Sequence, residues 1–171
     1  MKRTIWIAAG LAALLVMAGC SKKGPAAPAD IEYFPADSMD KVVDTGLVSF
    51  DPAFSSDGKG SLKVTVDQPT TVRLYEVAAP GLSDAKYIYR AKVNLKDCLG
   101  DAYLQMVMHF PNGGEVNAYQ NTKGQGAWTP METFGVAQEG QKPDWVKLNL
   151  VIQGSGSVWV DDVHLVGAPL H

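Results

Sequence analysis

Aromatic, amide and imidazole side chains alternate with apolar ones along residues 103–110, and this alternation defines the chemistry open to them. Tyr103, Gln105 and His109 are predicted to lie on the polar side of a strand. A ring can stack on the flat apolar face of a ligand, and amide or charged groups can pair with its hydroxyls. Arg90, on another predicted strand, and Trp128, after a glycine-containing loop, offer the same chemistry. These residues could equally form the solvated face of a sheet, and Trp128 could equally pack into the core.

The residue patterns that common enzymes use are missing from the sequence. The three histidines have no H-x-x-x-H or C-x-x-C companion, which argues against a zinc site. There is no G-x-S-x-G elbow for serine hydrolysis. The polar strand faces carry no pair of acidic residues, which a glycosidase requires. We therefore expect a protein without enzymatic activity and without a required cofactor.

The charge and the cysteine content argue against two further kinds of function, nucleic-acid binding and thiol catalysis. The formal net charge is −3, with 15 basic and 18 acidic residues. A nucleic-acid-binding protein would need a basic face, so we expect no nucleic-acid partner. Cys98 has no histidine near it in the sequence, and we expect a buried, unreactive thiol rather than a nucleophile.

The dominant apolar period after residue 20 is two, which is typical of antiparallel sheets with one buried face. Glycine-containing turns separate the alternating runs. The predicted strands, about nine, are 46–50, 61–66, 71–77, 87–94, 102–110, 115–120, 131–136, 145–153 and 157–165. The expected fold is an all-β antiparallel β-sandwich.

The N-terminal residues resemble a bacterial lipoprotein signal. Lys2 and Arg3 precede an apolar run over 5–18, and small residues lead directly into Cys20. The run is too short for the ~20 residues of a membrane-spanning helix. The resemblance implies a signal peptide over 1–19 and lipidation of Cys20, which would tether the protein to a bilayer. The alternative is an ordinary secretory signal in which the cysteine is incidental.

Residues 20–30 form the predicted linker, rich in proline, alanine and lysine, and the folded domain is predicted over 31–168. Ser21 follows the lipidated position, where an aspartate would resemble an inner-membrane retention signal. We therefore expect a location in the bacterial cell envelope, anchored to the outer membrane.

Two segments resemble jelly-roll carbohydrate-binding modules with a galactose-binding-like fold. Residues 55–66, SSDGKGSLKVTV, resemble the entry into an early strand of these modules. Residues 143–166, PDWVKLNLVIQGSGSVWVDDVHLV, resemble their final hairpin. The resemblance implies a jelly roll in which one sheet is concave and carries a ligand groove.

The same resemblance implies a structural calcium ion, held by Asp161 with loop carbonyl oxygens. Asp57 is a second candidate ligand, and Glu32 is a third. Calcium takes six to eight oxygen ligands, which carboxylates and loop carbonyls can supply. The alternative is that Asp161 accepts backbone hydrogen bonds at an irregularity in the strand.

The expected function is non-catalytic carbohydrate binding by a membrane-anchored domain. Tyr103, Gln105, His109 and Arg90 would line the concave face and contact a polysaccharide. The alternative is a module that docks an envelope protein on the same sheet and has no glycan ligand.

Overall fold

The computed structural model describes residues 27–122 and 126–171. Within those ranges the regular elements are ten β-strands. They are β1 (Ala29–Phe34), β2 (Val48–Asp51), β3 (Ser61–Val66), β4 (Thr70–Ala78), β5 (Ala85–Leu99), β6 (Ala102–His109), β7 (Glu115–Thr122), β8 (Thr129–Ala137), β9 (Trp145–Ile152) and β10 (Ser155–Pro169). The predicted antiparallel sandwich is confirmed. The predicted signal segment 1–19 and Cys20 lie outside the described residues.

The strands form two antiparallel sheets. The front sheet has the order β4-β9-β6-β7. The back sheet has the order β2-β3-β10-β5-β8, and β1 also pairs with β10. The long strand β10 pairs with β3 over 156–160 and with β1 over 163–167, so both fit along one side of it.

The core lies between the two sheets and is built from the apolar residues that alternate with polar ones along each strand. In the front sheet, β6 contributes Leu104 and Met106 and β9 contributes Leu148 and Leu150, all fully buried. Burying a Leu or Met side chain stabilises a fold by roughly 1.5–3 kcal/mol. This burial fixes which face each strand turns outward, because a slip of one residue would expose the whole apolar set.

The β4 edge of the front sheet is covered by the loop that precedes β2. The amide of Val43 donates to the carbonyl of Leu74 (3.0 Å), and the amide of Asp44 donates to the carbonyl of Arg73 (3.1 Å). The Asp44 carboxylate accepts from the amide of Arg73 at 2.7 Å. These bonds coincide with a register shift between Arg73 and Tyr75, which lets Leu74 and Tyr75 both be buried. The loop therefore satisfies backbone groups that an open edge would expose.

One strand was not among those predicted. β1 begins at Ala29, before the predicted domain start at residue 31, and contains an irregularity between Asp30 and Glu32. Only its last residue, Phe34, is buried, so its sequence lacks the alternation that marks the other strands. Among the described residues, no helix is long and apolar enough to span a bilayer.

Candidate functional site

Three of the predicted site residues share the outer face of the front sheet. Tyr103, Gln105 and His109 alternate along β6 with fully buried core residues. The antiparallel register places Asn149 of β9 and Tyr119 of β7 on either side of Gln105. The pairing of β6 with both neighbours thus assembles one face from three strands, and we call it the front face.

An amide pair lies at the middle of the front face. The side-chain nitrogen of Asn149 donates to Oε1 of Gln105 at 3.0 Å. Asn149 is only 7% exposed, and its Oδ1 has no hydrogen-bond partner among the described residues. A buried amide oxygen without a partner costs about 1–3 kcal/mol. A ligand or a water molecule that reached it would recover this cost.

Two tyrosines lie beside the amide pair. Tyr103 and Tyr119 meet edge to face, with ring centroids 6.2 Å apart and an interplanar angle of 78°. Tyr119 is 60% exposed, although tyrosine side chains usually gain from burial. Tyr103 also lines a cavity of about 530 Å³ with Thr71 and Val151 at this end of the sheet. The rings therefore offer exposed apolar surface next to hydrogen-bonding groups.

A second ring pair occupies the other end of the same face. The rings of His109 and Trp145 stack with centroids 4.6 Å apart. Nδ1 of His109 is 2.7 Å from Oδ1 of Asp144. This hydrogen bond holds the pKa of the Asp144 carboxyl below its usual value. The ammonium of Lys147 lies 3.9 Å from the centroid of the Trp145 ring, a cation–π geometry.

The remaining charges on the front face include an ion pair. Arg73 lies opposite Asn149 in the pairing of β4 with β9, and its guanidinium is 3.0 Å from the carboxylate of Glu76. Exposed pairs of this kind contribute little stability, with a median of about 0–1 kcal/mol. The Arg73–Glu76 pair places charges of both signs on the front face, so this part of the face has no net charge of one sign. Arg73 and Glu76 were not among the predicted site residues, because the register shift in β4 breaks the alternation that would have identified their face.

Arg90 does not share the front face with Tyr103. β5 belongs to the back sheet, where Arg90 lies opposite His164 and Glu132 and forms an ion pair with Glu132. It lines a separate cavity of about 340 Å³ with Lys92, Asp162 and His164. This corrects the expected placement of Arg90, and a ligand-binding role for it remains a prediction.

Trp128 is also on the back-sheet side of the molecule. Its ring stacks against Phe54 with centroids 5.4 Å apart. Phe54 in turn makes an edge contact with the ring of Trp159. The indole nitrogen of Trp159 donates to Asp51 at 2.9 Å. The structure therefore places Trp145, and not Trp128 or Trp159, on the front face.

The proposed calcium ligands are engaged in hydrogen bonds and ion pairs. Asp161 is 1% exposed, and its two oxygens accept from the amides of Ser56 (2.7 Å) and Asp162 (2.9 Å). Asp57 accepts from the amide of Lys59, and Glu32 pairs with Lys41. Within the described ranges, no group of three or more His, Cys, Asp or Glu side chains could hold a metal ion. The two amide contacts of Asp161 are those of the hydrogen-bonded alternative. A calcium ion held by Asp161 with loop carbonyl oxygens remains a prediction.

No family model matches this sequence, and no curated protein matches it. Solved structures do match. One is a family 16 carbohydrate-binding module, with a TM-score of 0.59, 15% identity, and coverage of 74% of this chain and 91% of that chain. A second is the CBM22-1 xylan-binding domain of Xyn10C from Paenibacillus barcinonensis, with a TM-score of 0.59, 12% identity, and coverage of 85% and 98%.

A third match is TmCBM27, described as a carbohydrate-binding module with specific mannan recognition. Its TM-score is 0.50, with 12% identity and coverage of 82% of this chain and 98% of that chain. Identities this low carry information on the fold alone. The chain therefore has the jelly-roll sandwich fold of carbohydrate-binding modules.

Proposed function

We propose that this protein binds polysaccharide on the front face and does not cleave it. The observation that carries the proposal is the contact of half-buried Tyr103 with exposed Tyr119, beside the Gln105–Asn149 amide pair. Sugars present apolar C–H faces and a rim of hydroxyls. Rings can stack on the former, and amides can both donate to and accept from the latter.

The electrostatics of the front face favour a largely uncharged ligand. Arg73 is paired with Glu76, and Lys147 lies over Trp145. A strongly anionic ligand would have to compete with Glu76 for the guanidinium. A neutral polysaccharide could bind alongside the existing ion pair. The structural neighbours described as binding xylan and mannan support this ligand class.

The carboxylates of the front face are poorly suited to glycoside hydrolysis. A glycosidase needs a general acid whose pKa is raised, so that the group remains protonated near neutral pH. The pKa of Asp144 is instead lowered by its hydrogen bond with His109. Glu76 faces the guanidinium of Arg73. The environment of Asp144 favours its ionised form, which supports recognition rather than bond cleavage.

We further propose that lipidated Cys20 anchors this domain to the outer membrane. β1 begins at Ala29, so eight residues separate Cys20 from the first strand. An extended chain of that length reaches at most about 28 Å. The sandwich would therefore remain close to the bilayer surface. Metabolic labelling with a fatty-acid analogue, compared between the native chain and Cys20→Ser, tests this anchor.

The binding proposal is tested with the domain over residues 21–171, which contains all ten strands. Affinity electrophoresis through soluble xylan or mannan should retard the native protein. We expect Tyr103→Ala to reduce the affinity roughly tenfold, the scale of a lost ring contact. Tyr33→Ala is the matched control, because Tyr33 is an exposed tyrosine paired with β10 of the back sheet.

Two results would contradict the proposal. The first is no binding to any member of a broad glycan panel. The second is unchanged affinity in Tyr103→Ala while Tyr33→Ala loses binding. Failure on every glycan, with specific co-purification of one envelope protein, would favour the protein-docking alternative.

A further inference from the structure

A cavity of about 470 Å³ lies beyond the front face, where β7 of the front sheet comes next to β8 of the back sheet. Its volume falls within the range of about 300–1,000 Å³ that is usual for ligand sites. The side chains that line it include Asn117, Tyr119 and Gln120 from β7, and Glu132 and Phe134 from β8. We call it the edge cavity.

Exposed aromatic rings lie on both sides of the edge cavity. Tyr119 is 60% exposed, and Phe134, which has no polar group to hydrate, is 53% exposed. The ammonium of Lys86 lies 3.8 Å from the centroid of the Phe134 ring. Exposed apolar surface on a soluble domain often marks a site of interaction. Tyr119 and Phe134 belong to different sheets, and both line the edge cavity.

Gly135 allows the two edge strands to approach each other. A Cβ atom at this position would lie 2.6 Å from Cε of Met108 and 3.2 Å from Cγ1 of Val116. The missing side chain therefore lets β8 pack directly against β6 and β7. Phe134, the residue before Gly135, faces outward from the back sheet beside this close contact.

The polar lining of the edge cavity is suited to hydroxyl groups. Asn117 and Gln120 supply amides, which both donate and accept hydrogen bonds. Glu132 accepts a hydrogen bond from the guanidinium of Arg90 and so presents an oriented acceptor. Two exposed rings with amides and one carboxylate repeat the chemistry of the front face.

We propose that the edge cavity is a second carbohydrate subsite, continuous with the front face through Tyr119. This inference rests on the proposed function and extends it. Tyr119 contacts Tyr103 on one side and lines the edge cavity on the other. A long polysaccharide chain therefore contacts the front face and then turns around the β7–β8 edge to Phe134. A short oligosaccharide occupies the front face alone.

The test is the dependence of affinity on ligand length, measured by titration calorimetry with xylan and mannan tetrasaccharides and octasaccharides. We expect Phe134→Ala to weaken octasaccharide binding about fivefold and to leave tetrasaccharide binding unchanged. Tyr103→Ala should weaken both. Phe134→Tyr should restore octasaccharide binding, whereas Phe134→Leu, which keeps apolar bulk without a ring, should not.

A second readout locates the contact directly. Amide chemical shifts of Glu132 to Phe134 should move on addition of the octasaccharide and stay constant with the tetrasaccharide. Thermal melting of each variant checks that the fold is retained.

The failures of the two proposals can be told apart. Equal octasaccharide affinity in Phe134→Ala and the native domain, with Tyr103→Ala impaired, overturns the edge subsite and leaves the front face intact. No glycan binding by the native domain overturns both. A change of oligomeric state in Phe134→Ala without a change in glycan affinity also overturns the edge subsite, in favour of a contact between copies of this chain.

Discussion

The imidazole of His109 and the indole of Trp145 are nearly parallel, with an interplanar angle of 7° and centroids 4.6 Å apart. The two residues are direct partners in the pairing of β6 with β9. Asp144 fixes the imidazole through Nδ1 at 2.7 Å. His109 lies six residues from Tyr103 along β6, or about 20 Å at the rise of an antiparallel strand. The front face therefore carries one pair of contacting rings at each end, with the Gln105–Asn149 amide pair between them.

The hydrogen bond between His109 and Asp144 predicts a pH-dependent stability. The pKa of Asp144 in the folded state is below its usual value, so its contribution is present above the unfolded pKa of about 3.9 and is lost as pH falls through the folded pKa. We expect Asp144→Asn to be less stable than the native domain at pH 7. The difference should begin to shrink below about pH 4 and be lost as the pH falls through the folded pKa. Urea denaturation at a series of pH values measures it.

Asp40→Asn is a suitable control for this series, because Asp40 is an exposed carboxylate that lines a different part of the surface. A stability difference for Asp144→Asn that stays constant from pH 7 to pH 3 would show that the charge of Asp144 does not contribute through this bond.

Tyr119 contacts both proposed subsites and should therefore have the largest effect of the aromatic residues. We expect Tyr119→Ala to weaken the binding of short and long xylan or mannan oligosaccharides alike. Its effect on the octasaccharide should exceed that of either Tyr103→Ala or Phe134→Ala. Calorimetry with the three single variants measures this order. An octasaccharide affinity for Tyr119→Ala that matches the native domain would exclude a path around the β7–β8 edge.

Asp161 is predicted to be a structural residue. Its carboxylate satisfies the amides of Ser56 and Asp162 while almost completely buried. Removing it leaves both amides without this acceptor, at a cost of roughly 3 kcal/mol. We expect Asp161→Ala to lower the free energy of unfolding by about that amount, and the exposed Asp57→Ala to change it far less. Equal effects of the two substitutions would contradict this role.

Chelation separates this structural role from calcium binding. If hydrogen bonds alone hold Asp161, the melting temperature should be the same with EDTA and with added calcium. A lower melting temperature in EDTA that calcium restores would show that a metal ion is bound, with Asp161 and Asp57 as the first candidates. Magnesium in place of calcium serves as the control, since it binds fewer ligands and prefers a stricter geometry.

The sequence predicted strand faces well and sheet membership poorly. The alternation of 102–110 and 145–153 correctly separated core from surface, because burying one face of a strand requires a period of two. That local pattern carries no information on which strands become neighbours. Arg90 and Tyr103 have the same polar phase on their own strands, yet β5 and β6 belong to opposite sheets.

Irregular segments account for the other differences. The register shift between Arg73 and Tyr75 in β4 made the face of Glu76 unpredictable from the sequence. The irregularity in β1 likewise prevented that strand from being predicted. Asp144 could not be selected, because it precedes β9 and reaches His109 only through the pairing of β6 with β9. Such contacts depend on strand order, which arises from pairings distant in sequence.

The turn between β9 and β10 contains Gly154, and the reason for a glycine there is visible only in three dimensions. A Cβ atom on Gly154 would overlap the backbone carbonyl oxygen of Leu99, which cannot swing aside as a flexible side chain could. Gly46, by contrast, has no atom within 4 Å of such a Cβ. We expect Gly154→Ala to destabilise the domain by about 3 kcal/mol, the upper end of typical overpacking costs. Gly46→Ala should be neutral or stabilise slightly, because it reduces the entropy of the unfolded chain. Urea denaturation of both variants tests the contrast, and equal midpoints would show that the β5 end does not pack against this turn as described.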